Sequence, residues 1–449
     1  MPEMLTAYLN TIGAQIRWKQ ARSVLLQELE CHAAEQLDEC LAQGLCQEEA
    51  EAETLRQLGD PVEIGQELDR LHRPKPQRGL LALTALLALA GTILPILLPK
   101  SADAALFFQP ERMLLWAALA FAALLGGYFL NYSSLIRHSI LIYLGALVTG
   151  LVLLWWSPTR NNAALYPHYA AMLFPMVYAL LLIRLQGHRW QGFAAAVLAI
   201  LPLCAVPLLA PRLLDVATLL LCSALLLVLA AQRDWFGIGK KSGLACTLAL
   251  LGTSAAGILW FGHKSLWSRL YQILHPNMDP LGRGYMPMTI RSALAGAKPW
   301  GTGEMTGRWS GMPFWSVVPN GGSDTFPVAL IHFMGWVPFL LLYGSLCVLL
   351  LWAAIKTIRQ KNSAAQMLAL SVLAILGIQT LLGLLLTCSF ILCRASCPLL
   401  SMSAETIINM GLIGLLLSIF RQETLPYTPV STPKPPNGRW KLVYIPANS

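Results

Sequence analysis

The chain has little charge for its length. Only 12% of its 449 residues are Asp, Glu, Lys or Arg, whereas 56% are hydrophobic. Soluble domains carry about 25% charged residues, and the mean hydropathy of +0.56 is equally far from their range. These values exclude a water-soluble fold. They predict an all-α, polytopic membrane protein, because a helix satisfies its own backbone hydrogen bonds in lipid.

Acidic residues are scarce outside the N-terminal segment. Of the 23 acidic residues, 14 lie within residues 1–77, which leaves nine for the rest of the chain. Those nine are Asp103, Glu111, Asp215, Asp234, Asp279, Glu304, Asp324, Glu405 and Glu423. A carboxylate at membrane depth is expensive and is retained mainly where it has a partner or a task. Each of the nine is therefore a candidate functional residue.

Several other patterns are missing. The ten cysteines include no CxxC pair, and most lie in apolar runs, where cysteine acts as a small hydrophobic residue. Cys393 and Cys397 flank a turn, and a disulfide between them is left open. No cluster of His, Asp and Glu has ligand spacing, so no metal site is predicted. The net charge of +9 comes from short basic clusters between apolar runs, which does not favour nucleic acid binding.

Residues 1–77 predict a small soluble helical domain on the cytoplasmic side. Apolar positions recur at helical spacing through residues 16–29, and residues 48–58 and 62–71 predict two further helices. The segment has no basic stretch followed by an apolar core, so a secretory signal is not expected. The run EEAEAETLRQLGDPVEIGQEL resembles the permease prefix domain of some bacterial membrane proteins. That resemblance implies regulation or docking.

Residues 78–422 predict a membrane domain of about ten transmembrane helices. Each apolar stretch is long enough to cross roughly 30 Å of hydrocarbon as a helix. The stretches are residues 79–98, 111–130, 136–156, 165–185, 190–210, 213–232, 242–262, 326–354, 364–392 and 402–420. Residues 423–449 predict a disordered cytoplasmic tail.

The basic residues predict the orientation of these helices. Nine Lys and Arg residues lie in the short loops after the even-numbered helices, and five lie on the other face. Short loops rich in Lys and Arg face the cytoplasm. We therefore expect both termini in the cytoplasm.

Residues 263–325, between helices seven and eight, predict a large outer loop. Long structured loops usually carry function. The six basic and three acidic residues of this segment give it a net charge of +3. A positive, glycine-rich concavity at the membrane surface suits an anionic ligand such as a lipid phosphate or diphosphate. General contact with lipid headgroups is the alternative.

Asp324 stands where this loop meets helix eight. A carboxylate at that depth is partly desolvated, and its pKa tends upward, so it can act as a general base for a sugar hydroxyl. The position of Asp324 in the sequence fits equally well a second role, in which the aspartate only caps helix eight.

The loop resembles the signature of the SEDS glycosyltransferases, the FtsW/RodA/SpoVE family. The likeness is carried by the stretches HPNMDPLGRGYMPMTIRSALAGAKPWGTGE and VVPNGGSDTFPVALIHFMGW. The matching positions are Pro276, Asp279, Pro280, Gly282, Gly284, Tyr285, Gly301, Gly303, Pro319, Asp324 and Gly335. The catalytic aspartate of the family falls on Asp324. Outside the loop, RLLDVATLLL places Asp215 and Thr218 on family motif positions, and CPLLSMSAE places Pro398 and Ser401 on another.

The chain also departs from the family pattern. His168, Tyr169 and Met172 replace a Ser, a Glu and a Lys at the start of helix four, so the ion pair of the family is expected to be lost. His332 stands where the family has an acid. We interpret His332 as a buried structural histidine bonded to a neighbouring helix, with a proton relay or phosphate binding as the alternative.

The resemblance implies a peptidoglycan glycosyltransferase that polymerises lipid II at the outer face of the bacterial cytoplasmic membrane. The role in cell shape, division or sporulation is left open. Asp324 is the candidate catalytic residue. The candidate substrate-binding residues are Arg283, Tyr285, Arg291, Lys298, Gly301, Gly303, Asp215 and Ser401.

The implied partners are lipid II, the polyprenyl-diphosphate-linked glycan, membrane lipids and a class B penicillin-binding protein. A divalent cation bound with the substrate diphosphate is left open. Two alternatives stand beside this function. One is a flippase or transporter of a lipid-linked precursor, and the other is a catalytically silent scaffold, which the lost ion pair keeps open.

Overall fold

The structure is a computed structural model. It describes residues 3–98, 109–160, 163–280, 282, 284–318, 324–390, 397–400 and 403–422. The predicted disordered tail lies outside the described residues, and so does Cys393, whose pairing with Cys397 the sequence leaves open. The chain divides into two units, and the division falls between Lys75 and Pro76. The sequence predicts the boundary after residue 77, two residues further along the chain. That boundary stays a prediction.

The N-terminal unit contains four helices. They are α1 (Glu3–Gln15), α2 (Lys19–Ala42), α3 (Gln47–Leu58) and α4 (Pro61–His72). The helix expected through residues 16–29 is interrupted, because α1 ends before Ile16 and α2 begins at Lys19. Ile16 is buried in a small hydrophobic core with Ile12, Ala21 and Leu25. The start of α4 follows its sequence signals, since the Asp60 side chain accepts a hydrogen bond from the Val62 backbone amide at 3.1 Å.

Asp69 links the turn after α1 to α4. The carboxylate is buried, and it accepts hydrogen bonds from the Arg17 backbone amide at 2.9 Å and from the Arg73 guanidinium at 3.3 Å. We expect Asp69→Ala to leave the Arg17 amide unsatisfied and to destabilise the N-terminal unit by about 1–3 kcal/mol. Hydrogen exchange of the full-length protein measures this as faster exchange across α1 and α4.

Glu67→Ala is the matched control, because Glu67 is exposed on the same helix. We expect it to change the stability by no more than about 0.5 kcal/mol. Equal exchange rates in the Asp69 and Glu67 variants would show that the buried contacts contribute nothing.

The membrane unit is almost entirely helical in its described part. Its first helices are α5 (Arg78–Leu97), α6 (Pro110–Phe129), α7 (Tyr132–Arg137), α8 (Ser139–Trp155), α9 (Pro167–Ala171), α10 (Phe174–Arg184), α11 (Arg189–Leu198), α12 (Ile200–Leu209) and α13 (Leu213–Gln232). They are followed by α14 (Lys240–Leu274), α15 (Tyr285–Ala295), α16 (Phe314–Val317), α17 (Phe326–Met334), α18 (Trp336–Ile358), α19 (Ser363–Thr387) and α20 (Ala404–Arg421). Short 3₁₀ helices occupy Pro276–Met278 and Gly307–Trp309, and β1 (Thr159–Arg160) pairs antiparallel with β2 (Ala163–Ala164).

A helical segment is present at each position where the sequence predicts a transmembrane helix. Within the described residues, eight segments are long and apolar enough to cross a membrane, and the shorter apolar helix α8 and the 35-residue α14 fill the two other positions. The chain is therefore a multi-pass helical membrane protein, as its composition predicts. One boundary is wrong. Helix seven was expected to end at residue 262, but α14 continues to Leu274, so the long loop begins at residue 275.

Helix eight is broken where the sequence predicts one continuous helix over residues 326–354. Gly335 adopts a φ of +97°, which separates α17 from α18. A β-carbon at Gly335 would lie 2.5 Å from the Pro299 carbonyl oxygen. The loop pairs with the broken helix, since the Trp336 amide donates to the Lys298 carbonyl at 3.0 Å and the Gly303 amide to the His332 carbonyl at 2.7 Å. Glycine at this position thus permits the close contact between the long loop and the membrane helices.

Helices α6 and α20 pack with their backbones in close approach. A β-carbon at Gly127 would collide with the Gly411 carbonyl oxygen, and one at Gly414 would collide with the Leu124 carbonyl oxygen. Small residues permit this kind of contact between membrane helices, where dispersion between close backbones drives association. The contact joins α6 to α20, whose first turn contributes to the cavity described next.

Candidate functional site

A cavity of about 260 Å³ lies at one end of the helix bundle. It is formed by the first turns of α9, α13 and α20, by the residues just before α17 and by α19. These three first turns and the segment before α17 stand where even-numbered transmembrane segments begin, so the cavity lies at the same end as the long loop. The lining residues are Leu165, His168, Tyr169, Ala171, Met172, Arg212, Leu214, Asp215, Thr218, Asp324, Ile375, Gln379, Leu382, Ser403 and Glu405.

Asp215 and His168 form a direct polar contact in this cavity. The imidazole Nδ1 of His168 lies 2.9 Å from Oδ1 of Asp215. The Arg212 guanidinium donates through Nε to the other carboxylate oxygen of Asp215. Only 9% of the Asp215 side chain is exposed, so its charge is kept inside the protein by these two partners.

Glu405 approaches the same imidazole from the other side. Its Oε1 lies 3.5 Å from Nε2 of His168, and the two side chains are only 20% and 22% exposed. The contact joins α9 to α20, just as the Asp215 contact joins α9 to α13. His168 therefore connects three helices around the cavity.

The helix-four ion pair of the family is absent, as expected, but other charged groups meet at the same place. Tyr169 and Met172 line the cavity without charge, as the sequence implies. His168, however, engages Asp215 and Glu405, so a charged network persists with different members. Sequence reasoning missed His168 and Arg212 as members of the site, and it named Glu405 only as one of the nine scarce acidic residues. The signal available was that each is an ionisable residue at the start of an apolar helix, where such side chains tend to face the bundle interior.

Asp324 lines the cavity together with Asp215, although the two lie 109 positions apart in the sequence. It precedes Thr325, which occupies the N-cap position of α17. Asp324 therefore stands one residue before the assigned cap position, and its role as a cap of helix eight stays a prediction, like its role in catalysis. Asp324 is partly exposed, so a bound molecule can reach its carboxylate. Its role as a general base stays a prediction.

The other predicted substrate-binding residues that the structure describes do not line this cavity. Tyr285 donates its hydroxyl to the Val317 carbonyl at 2.8 Å, which holds the loop together. The Gly301 amide donates to the Met334 carbonyl at 3.0 Å, beside the Gly303 contact described above. Lys298 is exposed, with its ammonium 4.0 Å from the Glu304 carboxylate. Arg291 is exposed on α15.

Binding by these residues stays a prediction, as does binding by Arg283 and Ser401, which lie outside the described residues. The contacts of Tyr285, Gly301 and Gly303 show that these motif positions shape the loop. These contacts join the loop to itself and to the C-terminal end of α17, the helix that follows Asp324.

His332 lies apart from Asp324. It is buried and stacks on the Phe314 ring, with the ring centroids 4.8 Å apart. It lines a second cavity, of about 520 Å³, between α17 and the loop. The hydrogen bond to a neighbouring helix that the sequence suggested is not formed by its Nδ1, which has no partner among the described residues. Ring stacking holds this histidine instead.

Three solved structures resemble the chain. One chain of a peptidoglycan synthase complex, described for its structural coordination of polymerization and crosslinking, matches with a TM-score of 0.60 and 19% identity, covering 78% of this chain and 98% of that chain. Two crystal structures of the Thermus thermophilus Rod shape determining protein RodA match with a TM-score of 0.50 and 16% identity. Each of the two covers 79% of this chain, with 99% and 98% of the RodA chains covered; the first is a variant with an aspartate replaced by alanine.

The chain has the RodA fold. The fold expected from the resemblance is therefore confirmed. The sequence matches no protein-family model and no curated protein. At these identities the likeness to RodA establishes architecture, and the chemistry has to be argued from the cavity.

Proposed function

We propose that this protein is a SEDS-family peptidoglycan glycosyltransferase that polymerises lipid II at the outer face of a bacterial cytoplasmic membrane. The observation that carries the proposal is the position of Asp324 in one cavity with Asp215, at the end of a RodA-like bundle that bears the long loop. Because the cavity opens among the first turns of membrane helices, a lipid-linked sugar can enter it with its tail still in the bilayer.

In the proposed reaction, the Asp324 carboxylate accepts the proton of the acceptor sugar's 4-hydroxyl. The resulting oxygen attacks the anomeric carbon of the growing glycan, and the bond to the lipid diphosphate breaks. General base assistance of this kind requires an ionised carboxylate within about 2.6–3.2 Å of the hydroxyl. The leaving diphosphate takes up the negative charge, which the basic loop residues would stabilise.

A class B penicillin-binding protein is the proposed partner. The likeness to a chain of a peptidoglycan synthase complex supports this assignment. The N-terminal unit is proposed to face the cytoplasm, because the basic residues of the short loops concentrate on the same side. It would then serve regulation or docking.

Reconstitution with lipid II tests the proposal. We expect liposomes that contain the purified protein and its partner to convert labelled lipid II into glycan strands, with one undecaprenyl diphosphate released for each bond formed. Gel separation of the strands and quantification of the released lipid measure this. Movement of lipid II between leaflets without any strand would assign the protein to the transporters. If the partnered protein produced neither glycan strands nor movement of lipid II, the remaining assignment would be a catalytically silent scaffold.

A further inference from the structure

Both ring nitrogens of His168 face a carboxylate. Nδ1 lies 2.9 Å from Asp215, and Nε2 lies 3.5 Å from Glu405. A neutral imidazole carries a proton on only one nitrogen and would turn a lone pair toward one of these carboxylates. The arrangement of the acceptors therefore favours the cationic ring, with a proton on each nitrogen.

This proton alters the charge of the whole cavity. Among the described residues that line it, Asp215, Asp324 and Glu405 contribute three negative charges and Arg212 contributes one positive charge. The net charge of these side chains is therefore −2 when the His168 imidazole is neutral, and it is −1 when the ring is cationic. His168 thus halves the negative charge that an anionic ligand meets on entering.

The charges of this network are poorly screened by water. The side chains of His168, Arg212 and Asp215 are 22%, 16% and 9% exposed. Between partly buried groups a unit charge acts more strongly and over a longer distance than at an open surface. A change of one charge on the network therefore reaches a ligand bound elsewhere in the same cavity.

We propose that His168 is a positioning residue that sets the charge of this cavity and so its affinity for an anionic lipid diphosphate. The inference rests on the proposed function for the identity of the ligand. His168 acts through Asp215 and Glu405, because its two nitrogens are engaged by these carboxylates.

Three variants separate the charge of His168 from its shape. His168→Gln removes the cation, and we expect the dissociation constant for undecaprenyl diphosphate to rise about tenfold, as for one partly screened unit charge. His168→Lys keeps a cation of different shape. The double variant His168→Gln with Glu405→Gln removes one charge of each sign and restores the formal sum. Both are expected to recover most of the affinity.

The measurement is binding of undecaprenyl diphosphate to the full-length protein in nanodiscs, with undecaprenol as the neutral probe. Affinity for undecaprenol is expected to stay the same in all variants, because it carries no charge to be repelled. His138→Gln is the matched control. It makes the same substitution at an exposed histidine of the membrane unit, whose Nδ1 contacts only the Ser134 carbonyl at 2.9 Å.

Two results would overturn the inference. One is an unchanged affinity for the diphosphate in His168→Gln. The other is a loss of affinity in His168→Gln that looks structural. Such a loss would persist in the lysine and double variants, or it would extend equally to undecaprenol. Since the assay needs no polymerisation, it is independent of the reaction. If the wild type binds the diphosphate with this dependence on residue 168 but forms no glycan, the proposed function is refuted and the inference about His168 stands.

Discussion

Replacing Asp324 with asparagine is expected to lower the rate of lipid II polymerisation by about 100-fold to 10,000-fold, the range that a general base contributes. Asparagine has nearly the same shape, so the loop, α17 and the cavity should remain in place. It cannot accept the hydroxyl proton, and the attacking oxygen would have to form without a base. Initial rates of strand formation, measured with equal amounts of correctly inserted protein, test this expectation.

Asp234→Asn is the control for this variant. Asp234 lies between α13 and α14, away from the cavity, and its Oδ1 accepts a hydrogen bond from the Gly239 amide at 2.7 Å. Asparagine keeps that acceptor and adopts the residue's positive φ readily. We expect this variant to retain full activity. An active Asp324→Asn protein would remove the general base from the account, and an equal loss in both variants would indicate damage unrelated to catalysis.

Gly127→Val is expected to disrupt the membrane unit as a whole. Its side chain would be driven into the backbone of α20 near Gly411, where no flexible side chain is available to move. Overpacking against backbone costs typically about 1–3 kcal/mol and more where nothing can yield. We expect a fall of the thermal unfolding midpoint in detergent together with loss of monodisperse protein.

Gly126→Val is the neighbouring control. A β-carbon at Gly126 has no heavy atom within 4 Å, so the same side chain meets open space. From helix propensity alone the change should be within about 0.5 kcal/mol. Equal stability of the two valine variants would contradict the close approach of α6 and α20.

The helices of the membrane unit were predictable because apolar length is a local property of the sequence. Most predicted spans agree with the observed helices to within a few residues, as at residues 213–232 and Leu213–Gln232. The extension of α14 to Leu274 was missed, because hydropathy falls after residue 262 while helix formation continues. A drop in hydropathy marks the end of an apolar stretch, which is not always the end of a helix.

The break in helix eight could not be predicted from hydropathy. Its cause is the pairing of the segment around Lys298 and Gly303 with backbone groups on both sides of Gly335. Such pairing joins residues 29 to 38 positions apart and leaves the apolar pattern unchanged. The glycine itself was the only local signal, since glycine adopts a positive φ without strain.

The candidate site was predictable in part. The motif resemblance selected Asp324 and Asp215, and the structure places both on the same cavity. The contacts of His168 with Asp215 and Glu405 join three separate helices, so no local spacing reveals them. The basic loop residues were selected by net charge alone. Charge predicts the sign of a ligand, but it does not decide which side chains reach the cavity.

The location of bound lipid II tests the central claim most directly. A cryo-EM structure of the Asp324→Asn variant with lipid II, in complex with its partner, would show where the sugars and the diphosphate lie. The account predicts that the acceptor 4-hydroxyl lies within about 3.2 Å of the residue 324 side chain, with the diphosphate in the cavity that His168 and Asp215 line. Lipid II held instead in the second cavity beside His332, or on the lipid-facing surface of the bundle, would contradict it.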